Sequence, residues 1–121
     1  MEKYTKEELE KALQVVSSVI RNCEKIHPKF AEGTSQHTLL KNRIKAMYIS
    51  KSLIKDENIM EKYTKEELEE AIAPVSSSIS KCEKAYLNAV EGTSNHTRLT
   101  KMIKALYISK SLITNEIRKR V

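Results

Sequence analysis

The chain is written twice. Residues 1–9 read MEKYTKEEL, and residues 60–68 read the same. At an offset of 59, Cys23 aligns with Cys82 and Glu32-Gly33-Thr34-Ser35 with Glu91-Gly92-Thr93-Ser94. Tyr48-Ile49-Ser50-Lys51-Ser52-Leu53-Ile54 recurs unchanged at residues 107–113, and the register holds 36 identities in 59 positions. Repetition on this scale means one supersecondary unit used twice. With 121 residues in all, each copy has about sixty, which is marginal for burying a core alone. The two copies are therefore expected to pack on one another, and a single copy cut out of the chain is expected to dimerise.

The unit is helical. Two Gly and two Pro in the whole chain leave too few tight turns for a many-stranded β fold. Thr5-Lys6-Glu7-Glu8 is a capping box, and Leu9, Ala12, Leu13, Val16, Val19, Ile20, Cys23 and Ile26 follow at spacings of three and four, one face of an α-helix. Thr64 and Glu67 open the second copy in the same way, followed by Leu68, Ala71, Ile72, Val75, Ile79 and Cys82. Gly33 and Gly92 suit left-handed turn positions, and the Thr-Ser pair after each can cap a new helix. From Leu39 to Ile54 the apolar residues span more than half the circumference, so the second helix of each copy should touch more than one neighbour. The expected architecture is an all-α four-helix bundle of two tandem helical hairpins with pseudo-two-fold symmetry. Repeat 1 is 1–59, with helices over 5–27 and 35–55; repeat 2 is 60–121, with helices over 64–88 and 94–117. Pro28 should end or bend the first helix, and Pro74, inside the third, should kink it by removing the bond to the Glu70 carbonyl. Residues 56–63 are polar and compatible with helix, although Thr64 with Glu67 argues for a fresh start.

Catalytic chemistry finds little to work with. Cys23 and Cys82 lie on apolar helix faces and read as small buried side chains; they would meet only if the two first helices packed together. Cys23 and His27 have a legal two-ligand spacing, but Tyr86 replaces His27 in the second copy and nothing nearby completes a tetrahedral set. No Glu-x-x-His pair, P-loop or nucleophile elbow is present. No enzyme activity, metal or cofactor is expected. His37 and His96 follow Gly-Thr-Ser in the first turn of a helix, so Ser35, His37, Ser94 and His96 form candidate anion-binding starts, with Lys41 or Arg98 close by.

The net charge of +6 divides as +3 per copy, and each copy holds 11 bases and 8 acids. The surplus lies on the second helices, because residues 34–55 and 93–114 contain no acid. At 100° per residue, His37, Lys41, Lys45, Tyr48, Ser52 and Lys55 share one polar face, and His96, Thr100, Lys104, Tyr107, Ser111 and Thr114 share its counterpart. Lys41, Lys45, Tyr48, Lys104 and Tyr107 are thus the candidate contacts for an acidic protein partner. A nucleic-acid-binding accessory role would use the same lysines, but Arg is sparse and no helix-turn-helix signature accompanies them. No apolar run approaches the roughly 18 residues a membrane helix needs, and the first residues are no secretory signal. A cytoplasmic, membrane-independent interaction protein is the expectation.

Overall fold

The computed structural model describes residues 4–120. Four helices account for most of them: α1 (Lys6–Ile26), α2 (Ser35–Ile54), α3 (Lys65–Asn88) and α4 (Ser94–Lys119). No strand occurs among the described residues.

The helix starts follow from local chemistry. Thr5 Oγ1 accepts from the Glu8 N–H at 3.1 Å while Glu8 Oε1 accepts from the Thr5 N–H at 3.0 Å. Thr64 and Glu67 repeat the reciprocal pair at 3.1 and 2.9 Å. Thr34 caps α2 and Thr93 caps α4, each through its hydroxyl at 3.3 Å from an amide three residues on. Gly33 and Gly92 take φ of +90° and +86°, the left-handed conformation that reverses the chain between hairpin helices.

The prolines act differently from one another. Pro28 lies in a single 3₁₀ turn, His27–Lys29, that ends α1. Leu87 occupies the corresponding place in the second copy, and α3 runs on to Asn88, reaching 24 residues against 21 for α1. The helix also runs through Pro74, as the expected span of 64–88 requires. One backbone bond is lost there, and Ala71, Val75 and Ile79 are buried on both sides of it, so packing against α2 and α4 supports the helix across the gap.

Between the copies the chain turns sharply. Asp56 takes φ of +58°, tolerated by Asp better than by most residues. The Glu57 N–H then donates to the Ser52 carbonyl at 3.0 Å. Ile59 is driven into the core at 2% exposure. Arg120, at the far end of α4, donates to the carbonyls of Ile59 and Tyr63 and lies beside Glu116. This anchor has no counterpart in the first copy, because the register of 59 carries Arg120 back to Glu61, already in the second copy. α3 makes the fresh start that Thr64 and Glu67 implied.

Helices adjacent in sequence are antiparallel. Tyr48 meets Glu24 and His37 meets His27, so α1 and α2 run in opposite directions; Tyr107 with Glu83 and His96 with Tyr86 fix α3 and α4 likewise. The two hairpin tips therefore sit at one end of the bundle and the inter-repeat turn at the other. α2 and α4 pack against each other and against both remaining helices, whereas α1 and α3 do not touch. This explains the breadth of the apolar arc on the second helices. The core runs through Val16, Met47, Ile49, Ile59, Leu68, Val75, Leu106 and Ile113, all at 2% exposure or less. Ser50 and Ser109 are also fully buried; each hydroxyl donates to the carbonyl four residues earlier, at 2.8 and 2.9 Å, which satisfies it without a partner from another helix.

Candidate functional site

The five residues proposed for a partner are placed at the surface, but four of them are engaged within the bundle. Tyr48 Oη donates to Glu24 on α1 at 2.9 Å, and Tyr107 Oη donates to Glu83 on α3 at 3.0 Å. Lys45 pairs with Glu67 at the start of α3, and Lys104 pairs with Glu8 at the start of α1 at 3.2 Å. The tyrosines thus fasten helices within a repeat, and the lysines fasten one repeat to the other. Lys41 is exposed and makes no ion pair. The polar face is also shorter than helical geometry alone implies, because the inter-repeat turn covers Ser52 to 6% exposure.

These clasps set a pH range for the fold. The Thr5 amide, and after it Lys104, hold the Glu8 carboxyl below its ordinary value of 4.5. Lys45 and then the Thr64 amide do the same to Glu67. Both ionise more readily folded than unfolded, so their contribution is complete above about pH 4.5 and fades as pH falls through the lowered folded values. Hydrogen bonding to Glu24 raises Tyr48 above 10.0, and Glu83 raises Tyr107 likewise. That contribution is complete below pH 10 and fades as pH rises through the folded values. Urea midpoints are expected to be flat between these limits and to fall outside them. The double variant Glu8→Gln/Glu67→Gln should flatten the acid limb; an acid limb identical to that of the unaltered chain would refute the assignment.

The candidate anion sites are rearranged by ring packing. His37 lies against His27 with ring centroids 4.0 Å apart, and His96 against Tyr86 at 4.6 Å. Both imidazoles thus pack on a ring from the preceding helical segment. Ser35 donates to Gln36. A shallow depression of about 460 Å³ does open at the start of α4, lined by Gly92, Thr93, Ser94, Thr97, Arg98 and Lys101. Of the four candidate residues only Ser94 borders it, and Arg98 is already bonded to Asn95 and Met102.

Cys23 and Cys82 are buried free thiols. Burial raises both above the ordinary value, partly offset by Arg43 at Cys23 and by Arg98 and then Arg43 at Cys82. Since α1 and α3 make no contact, the cysteines do not meet, and a disulfide would require the backbone to move. Cys23, His27 and His37 share one end of the first hairpin, yet no group of three or more His, Cys, Asp or Glu among the described residues is arranged to hold a metal.

One feature of the charge distribution emerges only in three dimensions. The acid-rich first turns of α1 and α3 lie at the inter-repeat end, where they face Lys45 and Lys104. At the hairpin-tip end, residues 21–43 hold five bases against two acids, and residues 80–102 hold four against two. Five of the six net positive charges thus belong to that end. The exposed apolar side chains gather there too: Ile26, Phe30 and Leu39 from the first hairpin, and Leu87 and Val90, at 83% and 71% exposure, from the second. No single helix carries this coincidence, so helical-wheel reasoning does not find it.

The fold and these surfaces define an all-α four-helix bundle whose hairpin-tip end is both basic and apolar. No helix among the described residues is long and apolar enough to cross a membrane. No protein-family model, curated protein or solved structure matches the chain.

Proposed function

We propose that this chain is a non-catalytic cytoplasmic interaction protein that binds an acidic protein partner through the hairpin-tip end of the bundle. The observation that carries this reading is the coincidence, at one end, of bases without ion pairs and exposed apolar side chains. Lys41 on α2 and Lys101 on α4 are exposed and make no ion pair, and Phe30, Leu87 and Val90 expose apolar surface at the same end. Interfaces of this composition combine steering by charge with burial of a few apolar anchors. Lys45, Tyr48, Lys104 and Tyr107 keep the bundle assembled and present the surface without forming it.

Affinity capture from the native cell, with mass spectrometry of proteins and nucleic acids, tests the reading. An acidic protein should be retained by the unaltered chain and lost on Lys41→Glu/Lys101→Glu, with the helical circular dichroism unchanged. Capture that survives both charge reversals overturns the surface assignment. Retention of nucleic acid, weakening steeply with salt as phosphate contacts do, overturns the choice of partner.

A further inference from the structure

The two copies diverge where they face each other. Between α2 and α3 a cleft of about 530 Å³ opens, within the range of small-molecule sites, and its walls include Leu39, Ala46, Ala71, Ala73, Pro74 and Arg43. The corresponding gap between α4 and α1 is about 260 Å³. The difference is written in the sequence. Ala73 and Pro74 stand where the first copy has Gln14 and Val15, which line the smaller gap and fill it. Arg43 stands where the second copy has Met102. Pro74 also lacks an N–H, leaving the Glu70 carbonyl on the same wall without its helical donor.

Arg43 gives the cleft its chemistry. Its side chain is half-buried, and its Nε is enclosed with no hydrogen-bond partner. The guanidinium lies beside the Cys23 thiol and makes no ion pair with any carboxylate among the described residues. A charged group taken out of water is ordinarily paired, and the planar guanidinium fork matches a carboxylate. The carboxylates that line the same cleft do not meet this need. Glu67 is bound to Lys45, and Glu70 acts on the same lysine.

We propose that this cleft binds a small amphipathic monocarboxylate, with its apolar body against Leu39, Ala46, Ala71 and Pro74 and its carboxylate on Arg43. The site is independent of the hairpin-tip surface, and either assignment can fail without the other.

The chain carries its own controls. 2-Naphthoate serves as the probe, followed by titration calorimetry and by methyl chemical shifts of the full-length protein. One equivalent should bind with a Kd of about 1 mM or tighter, as expected for a ligand of that size, shifting the methyls of Leu39, Ala46 and Ala73. Neutral 2-naphthamide should bind at least tenfold more weakly. Arg43→Met, which places at 43 the residue found at 102, should cost the same factor for 2-naphthoate while leaving 2-naphthamide unaffected. Ala73→Gln/Pro74→Val, which installs the first copy's residues, should abolish binding of both. This second variant restores the helical bond to Glu70, so loss of binding with an undiminished melting temperature reports filling of the cleft. The proposal is overturned if 2-naphthoate fails to saturate the protein at several millimolar. It is equally overturned if Arg43→Met binds as well as the unaltered chain, or if the shifts fall on Val15 and Met102.

Discussion

Residues 1–59, produced alone, are expected to lose helical signal on dilution and to sediment as dimers when concentrated. The reason lies in how α2 is covered. Ala46, Met47 and Ile49 are fully buried, and α2 obtains that burial from three helices, two of them in the other copy. A lone hairpin would expose this surface, and a chain of about sixty residues has little other core to compensate. A second copy of residues 1–59 can supply the missing partners. Lys45 in the full chain pairs with Glu67, and Lys104 pairs with Glu8. Position 67 corresponds to position 8, and position 104 to position 45. In a dimer of residues 1–59, Lys45 of each subunit would meet Glu8 of the other, the reciprocal arrangement an isologous interface requires. Circular dichroism across a concentration series, with sedimentation at its two ends, decides the matter. A fully helical monomer at low micromolar concentration would show that the hairpin is self-sufficient and that the inter-repeat contacts are incidental.

The local features of this fold could be read from the sequence because their causes are local. A capping box needs only Thr and Glu three residues apart, and both predicted boxes form at Thr5 and Thr64. The four helices fall within two residues of their predicted ends. Pro74 marks where local reading stops: removal of one backbone bond is a local fact, whereas the support that α3 receives across it comes from burial of Ala71, Val75 and Ile79 against other helices. The engagement of Tyr48 and Lys45 was hidden for the same reason. A helical wheel places them correctly on a polar face but cannot say that Glu24 and Glu67 stand on either side of it. A signal did exist, since Glu8, Glu24, Lys45 and Tyr48 are identical in the two copies, but their pairing requires a known helix arrangement. Arg120 gives no sequence signal at all, because its acceptors at Ile59 and Tyr63 are backbone carbonyls some sixty residues away. The cleft was legible in part. The change from Gln14-Val15 to Ala73-Pro74 reduces volume at two adjacent positions, and only the packing of α2 on α3 turns that loss into space.

Replacing Met47 by Ala is expected to be the most damaging single change in the core. Met47 is fully enclosed on α2, which like α4 packs against all the other helices, so the walls of the resulting cavity belong to several elements and cannot collapse together. A buried Met→Ala change of this kind costs about 2–5 kcal/mol, a large fraction of the roughly 5–15 kcal/mol that holds a domain folded. At roughly 4 °C per kcal/mol for a chain of this length, the Tm should fall by about 8–20 °C. Met47→Leu should behave differently. Leu106 fills the corresponding place on α4 at 1% exposure, so the second copy already accommodates that shape, and a volume-conserving change should cost less than about 1.5 kcal/mol. Leu39→Ala, at a residue 61% exposed on the same helix, should stay within about 0.5 kcal/mol. Urea unfolding of the three variants at a common pH measures the series. The order Met47→Ala well below Met47→Leu and Leu39→Ala follows from an α2 buried on three sides. If Met47→Ala cost no more than Leu39→Ala, α2 would have to lie at the periphery, and the diagonal pairing of α2 with α4 would fall with it.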